Sequence, residues 1–252
     1  MPSNDVKGTT ALVTGASRGF GRGIAAALSG AGAAVVGVAR DGAALGELRA
    51  ELGESFTPVS ADAADPTVAG QLIDAYRPGI LVLNAGAAPL SRPLQQHTWQ
   101  TFSVNWDTDV KQVFHWLREA LLAPLAPDST VIAMSSGAAL RGSPLSGGYA
   151  GSKATIRFIT SYAAAESERG GLGIRFISVL PQLTPATELG AAAVAAYAER
   201  QGMDVASYRE SLGPALTPDH VGKAILDLIE SPAPGEGAEA YLLTAGGVRP
   251  AP

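Results

Sequence analysis

Short stretches of almost unbroken apolar residues recur along the chain, and between them apolar positions fall at helical spacing. The first pattern predicts strands over residues 10–14, 34–39, 56–61, 80–84, 130–135, 174–180 and 240–244. Several are apolar at nearly every position rather than at alternate ones. Such strands are covered on both faces, as in a parallel sheet. The second pattern predicts helices over 21–29, 41–52, 66–76, 97–122, 149–169 and 218–230. Local signals support the boundaries. Gly30 and Gly32 close the first helix and Gly53 the second. Asp65 before Pro66, and Thr217 before Pro218, pair an N-cap residue with proline in the first helical position. Regular strand–helix alternation implies right-handed crossovers and one doubly wound α/β domain over residues 1–252, with about seven parallel strands and helices on both faces. The Pro/Gly-rich segment 231–237 reads as a loop before the last strand. Residues 182–213 break the rhythm. They are Ala-rich and would form a lid above the carboxyl ends of the strands, where ligands bind in such sheets.

Composition narrows the function. The 252 residues are 46% hydrophobic and only 16% charged, too apolar for a disordered chain and enough for one large core. A net charge of −5 argues against a nucleic-acid surface. Without cysteine there is no disulfide, thiolate nucleophile or zinc–thiolate site. His97, His115 and His220 lie far apart, so no metal cage is expected; they read as capping or surface residues. Residues 1–8 are polar, and no apolar run approaches the roughly 18–20 residues that span a bilayer. A cytoplasmic protein without a membrane partner is expected.

The first candidate site is the turn after the first strand, Thr14-Gly15-Ala16-Ser17-Arg18-Gly19-Phe20-Gly21. Glycines here allow a pyrophosphate to approach the backbone, and the amides at the start of the following helix face the anion. An ordinary glycine-rich turn is the plain alternative. The strand–helix–strand context favours a dinucleotide.

The spacing Gly-x-x-x-Gly-x-Gly differs from Gly-x-Gly-x-x-Gly and resembles the Rossmann-type turn of the short-chain dehydrogenase/reductase family. Further matches follow in family order. Asn84-Ala85-Gly86 ends the fourth predicted strand, Ser135-Ser136 ends the fifth, and Tyr149-Ala150-Gly151-Ser152-Lys153 resembles the family's Tyr-x-x-x-Lys. Ser136 stands 13 residues before Tyr149, the family's spacing, and Asn105 matches its catalytic asparagine. The resemblance covers essentially the whole chain. It implies a catalytic set of Asn105, Ser136, Tyr149 and Lys153. It implies cofactor contacts from Gly15, Ser17, Arg18, Gly19, Phe20, Gly21, Arg40, Asp62, Asn84, Ala85, Gly86, Tyr149, Lys153, Pro181 and Gln182. It also implies that Asn105 serves a proton relay through Lys153, that Lys153 holds the nicotinamide ribose, and that helices 97–122 and 149–169 form a homodimer or homotetramer.

The residues fit hydride chemistry. Reducing a ketone takes a hydride from the cofactor and a proton for the forming alkoxide. A phenol near pKa 10 is a poor acid at neutral pH. Lys153, four residues on, shares a helix face with Tyr149. A cation about 4 Å away at an effective dielectric near 20 contributes roughly 4 kcal/mol, enough to lower the phenol by up to about 3 units. Ser136 would donate to the substrate oxygen as charge develops there. The plainer readings are a surface Tyr/Lys pair, a serine bonding its own backbone, and a buried amide at a helix bend.

The second predicted strand ends Val38-Ala39-Arg40, with Ala39 where an acidic residue would bind an adenine ribose diol. Arg40 and Arg18 can converge on a 2′-phosphate, so NADP(H) is expected. Asp41 either neutralises Arg40 or caps a helix. Asp62 matches the family's adenine contact. Departures from the family pattern are Gln182 after Pro181 where glycine is usual, Leu83 for the first asparagine before Asn84, Ala245-Gly246-Gly247 near the end, and a downstream threonine that is either Thr184 or Thr187. Residues expected near substrate are Ala87, Ala88, Ser136, Gly137, Ser143, Leu145, Tyr149, Gln182 and Leu183. Most are small or apolar, pointing to a small neutral carbonyl or alcohol. Tyr197, Met203 and Tyr208 in the presumed lid read mainly as packing residues, and Trp106 and Trp116 as packing of the long helix. The expected function is therefore NADP(H)-dependent interconversion of a ketone and a secondary alcohol. Other readings are use of NAD(H), reduction of C=N or C=C, or dinucleotide sensing without catalysis.

Overall fold

The structure, a computed structural model, describes residues 6–230 and 239–252; the loop expected over 231–237 lies outside the described residues. Seven parallel strands form the sheet: β1 (Thr10–Thr14), β2 (Ala34–Ala39), β3 (Phe56–Ser60), β4 (Ile80–Leu83), β5 (Thr130–Met134), β6 (Arg175–Pro181) and β7 (Ala240–Thr244). The order is β3-β2-β1-β4-β5-β6-β7, with an eighth strand, β8 (Gly247–Pro250), antiparallel to β7. The expected count of about seven is thus one short. Gly247-Val248-Arg249-Pro250 is mostly exposed and carries no apolar run, so its pairing is set by the Ala245-Gly246 turn rather than by burial.

The helices are α1 (Gly19–Gly30), α2 (Gly42–Leu52), α3 (Pro66–Tyr76), α4 (Trp99–Asn105), α5 (Lys111–Leu122), α6 (Ala138–Arg141), α7 (Gly147–Gly170), α8 (Glu188–Arg200), α9 (Val205–Ser211) and α10 (Pro218–Glu230). Asp65 caps α3 by accepting from the Thr67 amide at 2.8 Å. Asp41 caps α2 by accepting from the Ala44 amide at 3.0 Å, which settles its role.

The unbroken apolar strands are explained by a core on each face. Ala11, Val13, Val35, Val82, Ile132 and Val179 point to α1 and α10, where Ile24, Leu28, Val221 and Ile225 meet them. Leu12, Val36, Leu81, Leu83, Val131 and Ala133 point the other way, to Ile73 of α3, Val113 and Trp116 of α5, and Ile156 of α7. Successive strand residues face opposite sides, so both must be apolar when helices cover both. Each fully buried large side chain contributes about 1.5–3 kcal/mol. Trp116 is fully buried, and its indole N–H donates to the Ala63 carbonyl at 3.0 Å.

The stretch expected as one helix over 97–122 is divided. Leu94–Gln96 is a 3₁₀ turn, and Thr98 starts α4 through reciprocal bonds with Thr101. Trp106–Val110 is a π-helical turn, after which α5 resumes. The apolar periodicity does not register this extra residue, because what holds the π turn is the tertiary bonding of Asn105 and Asp109 described below. Among the described residues, no helix is long and apolar enough to cross a membrane.

Helices α1 and α10 cross at glycines. A Cβ on Gly222 would lie 2.4 Å from the Gly23 carbonyl oxygen, whereas one on Gly46, in α2, would meet nothing within 4 Å. Gly222→Ala is therefore expected to destabilise the fold by about 1–3 kcal/mol. Gly46→Ala should stabilise it by roughly 0.5–1 kcal/mol. Urea unfolding of both variants checks the pair; equal midpoints would contradict it.

Candidate active site

Strand β1 pairs with β2 on one side and β4 on the other, so chain order reverses between β1 and β4. The crevice beyond their carboxyl ends is where a doubly wound sheet takes its ligand. Two segments meet there, the glycine turn after β1 and residues 84–87 after β4. They touch so closely that a Cβ on Gly15 would lie 2.8 Å from Cα of Ala85, and one on Gly21 would lie 2.6 Å from the Asn84 side-chain nitrogen. Gly15 and Gly19 also have positive φ, 67° and 54°, which side chains disfavour.

Asn84 and Ala85 brace this contact. The Asn84 amide nitrogen donates to the carbonyls of Thr14 at 3.2 Å and Gly15 at 3.3 Å. The Thr14 hydroxyl accepts from the Asn84 and Ala85 backbone amides at 2.9 and 3.1 Å, and donates to Gln112 Oε1 at 3.1 Å. Gln112 in turn donates to the Ala85 carbonyl at 3.2 Å. Sequence reasoning missed Gln112; a polar residue at a core position of α5 is the signal that could have found it.

The turn fits a dinucleotide. Arg18 takes the N-cap position of α1 in extended backbone, no side chain caps the following amides, and no acidic residue occupies the first turn. These open donors and the helix dipole suit a pyrophosphate, with Ser17, Gly19 and Phe20 beside it.

The same 84–87 segment reaches the residues expected to be catalytic. Asn105 donates to the Ala87 carbonyl at 2.7 Å, and its Oδ1 is buried without a partner. Asp109, buried in the π turn, accepts from the Ala87 amide at 2.8 Å and from Asn105 at 3.4 Å. Its other oxygen lies 3.1 Å from Lys153 Nζ. Gly86 has no side chain where Asp109 sits; a Cβ would come within 2.8 Å of Asp109 Oδ2. Lys153 donates to the Met134 carbonyl at the end of β5, at 3.0 Å, and its Nζ lies 5.5 Å from the centre of the Tyr149 ring. Burial works against the Lys153 ammonium. Asp109, and less so Tyr149, more than offset it, leaving the group above the ordinary lysine value. Ser135 fixes α7 to β5 by donating to the Lys153 carbonyl at 2.7 Å. Ser136 accepts from the Ala138 amide at 3.2 Å and keeps its own proton to donate. Asp109 was not foreseen, since an acidic residue inside an expected uniform helix gives no sign of facing a lysine 44 positions later.

The remaining expected residues take these places. Pro181 ends β6, and its carbonyl accepts from the Gly137 amide at 2.9 Å. Gln182 donates its side-chain amide to the Pro214 carbonyl at 3.2 Å. Thr184 donates to the Leu216 carbonyl at 2.8 Å, and Thr187 caps α8. Asp62 accepts from the Ala64 amide at 2.9 Å. Arg40 is exposed, and among the described residues no carboxylate pairs with it, whereas Arg18 pairs with Glu188 of α8 at 2.7 Å. Ala88 is exposed, Leu145 is buried, and Leu183 packs with Val194, Ala198 and Tyr208 of α8 and α9. Tyr208 stacks on Tyr197, as a packing residue would, but the Tyr197 hydroxyl bonds Ser143, which also bonds Ser146 at 2.7 Å. Tyr197 thus ties the segment after β6 to the loop preceding α7. Met203 is partly exposed, and Trp106 lies against Gly151 of α7.

Comparison with known proteins identifies the family. The short chain dehydrogenase family profile matches residues 9–198. An uncharacterised oxidoreductase of Staphylococcus epidermidis is 29% identical over 227 residues, covering 86% of this chain and 94% of that protein. A probable NADP-dependent dehydrogenase of Haemophilus influenzae is 32% identical over 190 residues, covering 73% and 74%. In fold, the 3-ketoacyl-(acyl-carrier-protein) reductase of Brucella melitensis, solved with NADH, superimposes with a TM-score of 0.77 at 24% identity, covering 95% of this chain and 97% of that one. The protein belongs to the short chain dehydrogenase family, oxidoreductases that bind a nicotinamide dinucleotide.

Proposed function

We propose that the protein interconverts a ketone and a secondary alcohol with NADP(H), Tyr149 giving or taking the proton. The observation that carries this reading is the charged Lys153 held 5.5 Å from the Tyr149 ring, joined through Asp109 to the segment that braces the glycine turn. A bound nicotinamide dinucleotide supplies the hydride. Tyr149 gives its proton to the substrate oxygen, and the Lys153 ammonium stabilises the negative charge left on the phenol. Ser136 donates to the same substrate oxygen as charge develops. Asn105 holds the end of α4 against Ala87. Sensing without catalysis would not require this whole constellation.

Preference for NADP(H) is supported by three features. The position that would carry a ribose-binding acid is Ala39, the Asp41 carboxylate is turned into the cap of α2, and Arg40 stands exposed without a carboxylate partner among the described residues. The substrate is a small neutral carbonyl or alcohol, received between the Ser143 loop and the segment 182–213, which acts as a lid through Tyr197. The mostly small or apolar residues expected there, Ala88, Leu145 and Leu183, carry that reading. The exposed aromatic residues Phe114, Phe158 and Tyr162 on α5 and α7 support a homodimer or homotetramer through those helices. The setting is cytoplasmic, with no nucleic-acid partner.

Tyr149→Phe is expected to lower ketone reduction by at least about a hundredfold while leaving dinucleotide affinity within a few-fold. Steady-state kinetics with a ketone panel, beside a fluorescence titration with NADPH, check both; retention of most turnover would refute the acid/base role. Arg40→Ala should cost roughly 10–100-fold in kcat/KM with NADPH and little with NADH, the loss of one charged hydrogen bond of about 1.5–3 kcal/mol. Equal or better efficiency of the unaltered protein with NADH would overturn the preference. Phe158→Glu should reduce the mass seen by analytical ultracentrifugation toward that of one chain, and a monomeric parent protein would end the oligomer reading.

A further inference from the structure

Lys153 and Asp109 form an ion pair almost sealed from water, their side chains 7% and 1% exposed. Such a pair is costly to assemble, because both ions give up hydration, and far costlier to leave half made. Every bond around it is directional. Asp109 Oδ1 takes the Ala87 amide and Asn105 Nδ2, Oδ2 takes Lys153, and Lys153 Nζ has the Met134 carbonyl as its second partner. Gly86 has no Cβ, which keeps the space Asp109 occupies.

We propose that Asp109 is a positioning residue of the reaction, the counter-ion that keeps the Lys153 ammonium charged and aimed at Tyr149 in a site closed to water. Its catalytic meaning rests on the reading of Tyr149 as the proton donor; the ion pair itself does not.

The groups facing Lys153 are few. Asp109 comes from the π turn and Tyr149 from α7, and these are the ionisable groups acting on it. Strand β5 presents a carbonyl and α4 the neutral amide of Asn105. Asp107, the other acid of the π turn, accepts from Ser103 at 3.1 Å instead. With Asp109 neutral, among the described residues only the phenol and the Met134 carbonyl would oppose the desolvation of Lys153, and a buried lysine can then lose its proton several units below its usual value. Asp109 lies on the buried side together with Asn105, four residues away on the same helix face, where both meet Ala87.

The test is Asp109→Asn, which keeps an oxygen to accept from the Ala87 amide, removes the charge and replaces the acceptor facing Lys153 with an amide N–H₂. The whole chain has four lysines, Lys7, Lys111, Lys153 and Lys223, so a carbon-13 label at lysine Cε gives a resolvable NMR titration in the cofactor-free protein, with Lys153→Met to assign the signal. In the unaltered protein Lys153 should hold its proton beyond pH 10.5. In Asp109→Asn its midpoint should fall by about two units or more, and Asp109→Glu should recover most of the shift. The alkaline limb of the pH profile for ketone reduction should move down in the same variant. An Asp109→Asn protein whose Lys153 titrates as in the parent overturns the proposal, whether or not any ketone is turned over. Loss of turnover with an unmoved titration likewise reduces Asp109 to a packing residue. Should Asp109→Asn prove too unstable to titrate, thermal unfolding of Asp109→Asn, Lys153→Met and the double variant decides. The double variant should melt above the sum of the single losses, because it leaves no charge unpaired; strict additivity would overturn the pairing.

Discussion

The contact between the glycine turn and residues 84–87 is the constraint on which the site depends. Two parallel strands, β1 and β4, end side by side where the chain order reverses, and the loops leaving them lie closer than side chains would allow. One edge of the 84–87 segment braces the glycine turn. The other holds Asn105 and Asp109, and through Asp109 it reaches Lys153. The glycine turn and the Asn105–Asp109–Lys153 group are thus coupled through four residues of backbone. Thr14 and Gln112 reinforce the same point from the core, since each satisfies groups that would otherwise be buried without partners.

Electrostatics sets the second requirement. A lone ammonium buried as deeply as Lys153 would tend to lose its proton, and its field at Tyr149 with it. The structure supplies a carboxylate at 3.1 Å and a carbonyl at 3.0 Å. The carboxylate also takes away part of the field that Lys153 exerts on the phenol.

Above the sheet, helices α8 and α9 build a small apolar cluster of their own around Val194, Ala198 and Tyr208. Few links fasten it to the rest of the domain near the site: Arg18 to Glu188, Tyr197 to Ser143, and Gln182 to Pro214. The first is an ion pair with both side chains largely in water, worth at most about 1 kcal/mol. Arg18 therefore joins the glycine turn on which it sits to α8.

The primary sequence determined the layered α/β fold, most strand and helix limits to within a residue or two, and the identity of the glycine turn and the Tyr149–Lys153 pair. These are local properties: apolar runs of strand length, caps such as Asp65-Pro66, and a spacing of four along one helix. Tertiary structure decided what no local pattern carries. It added β8, whose pairing owes nothing to apolar burial. It broke the helix over 97–122 at Trp106–Val110, where periodicity continues undisturbed across the break. It used Gln182, Thr184 and Thr187 to tie and cap the segment after β6. It brought Asp109 to Lys153 across 44 residues. The physical reason is the same throughout. Burial patterns and turn chemistry are written residue by residue, but a buried polar group takes its meaning from its partner, and folding alone brings the two together.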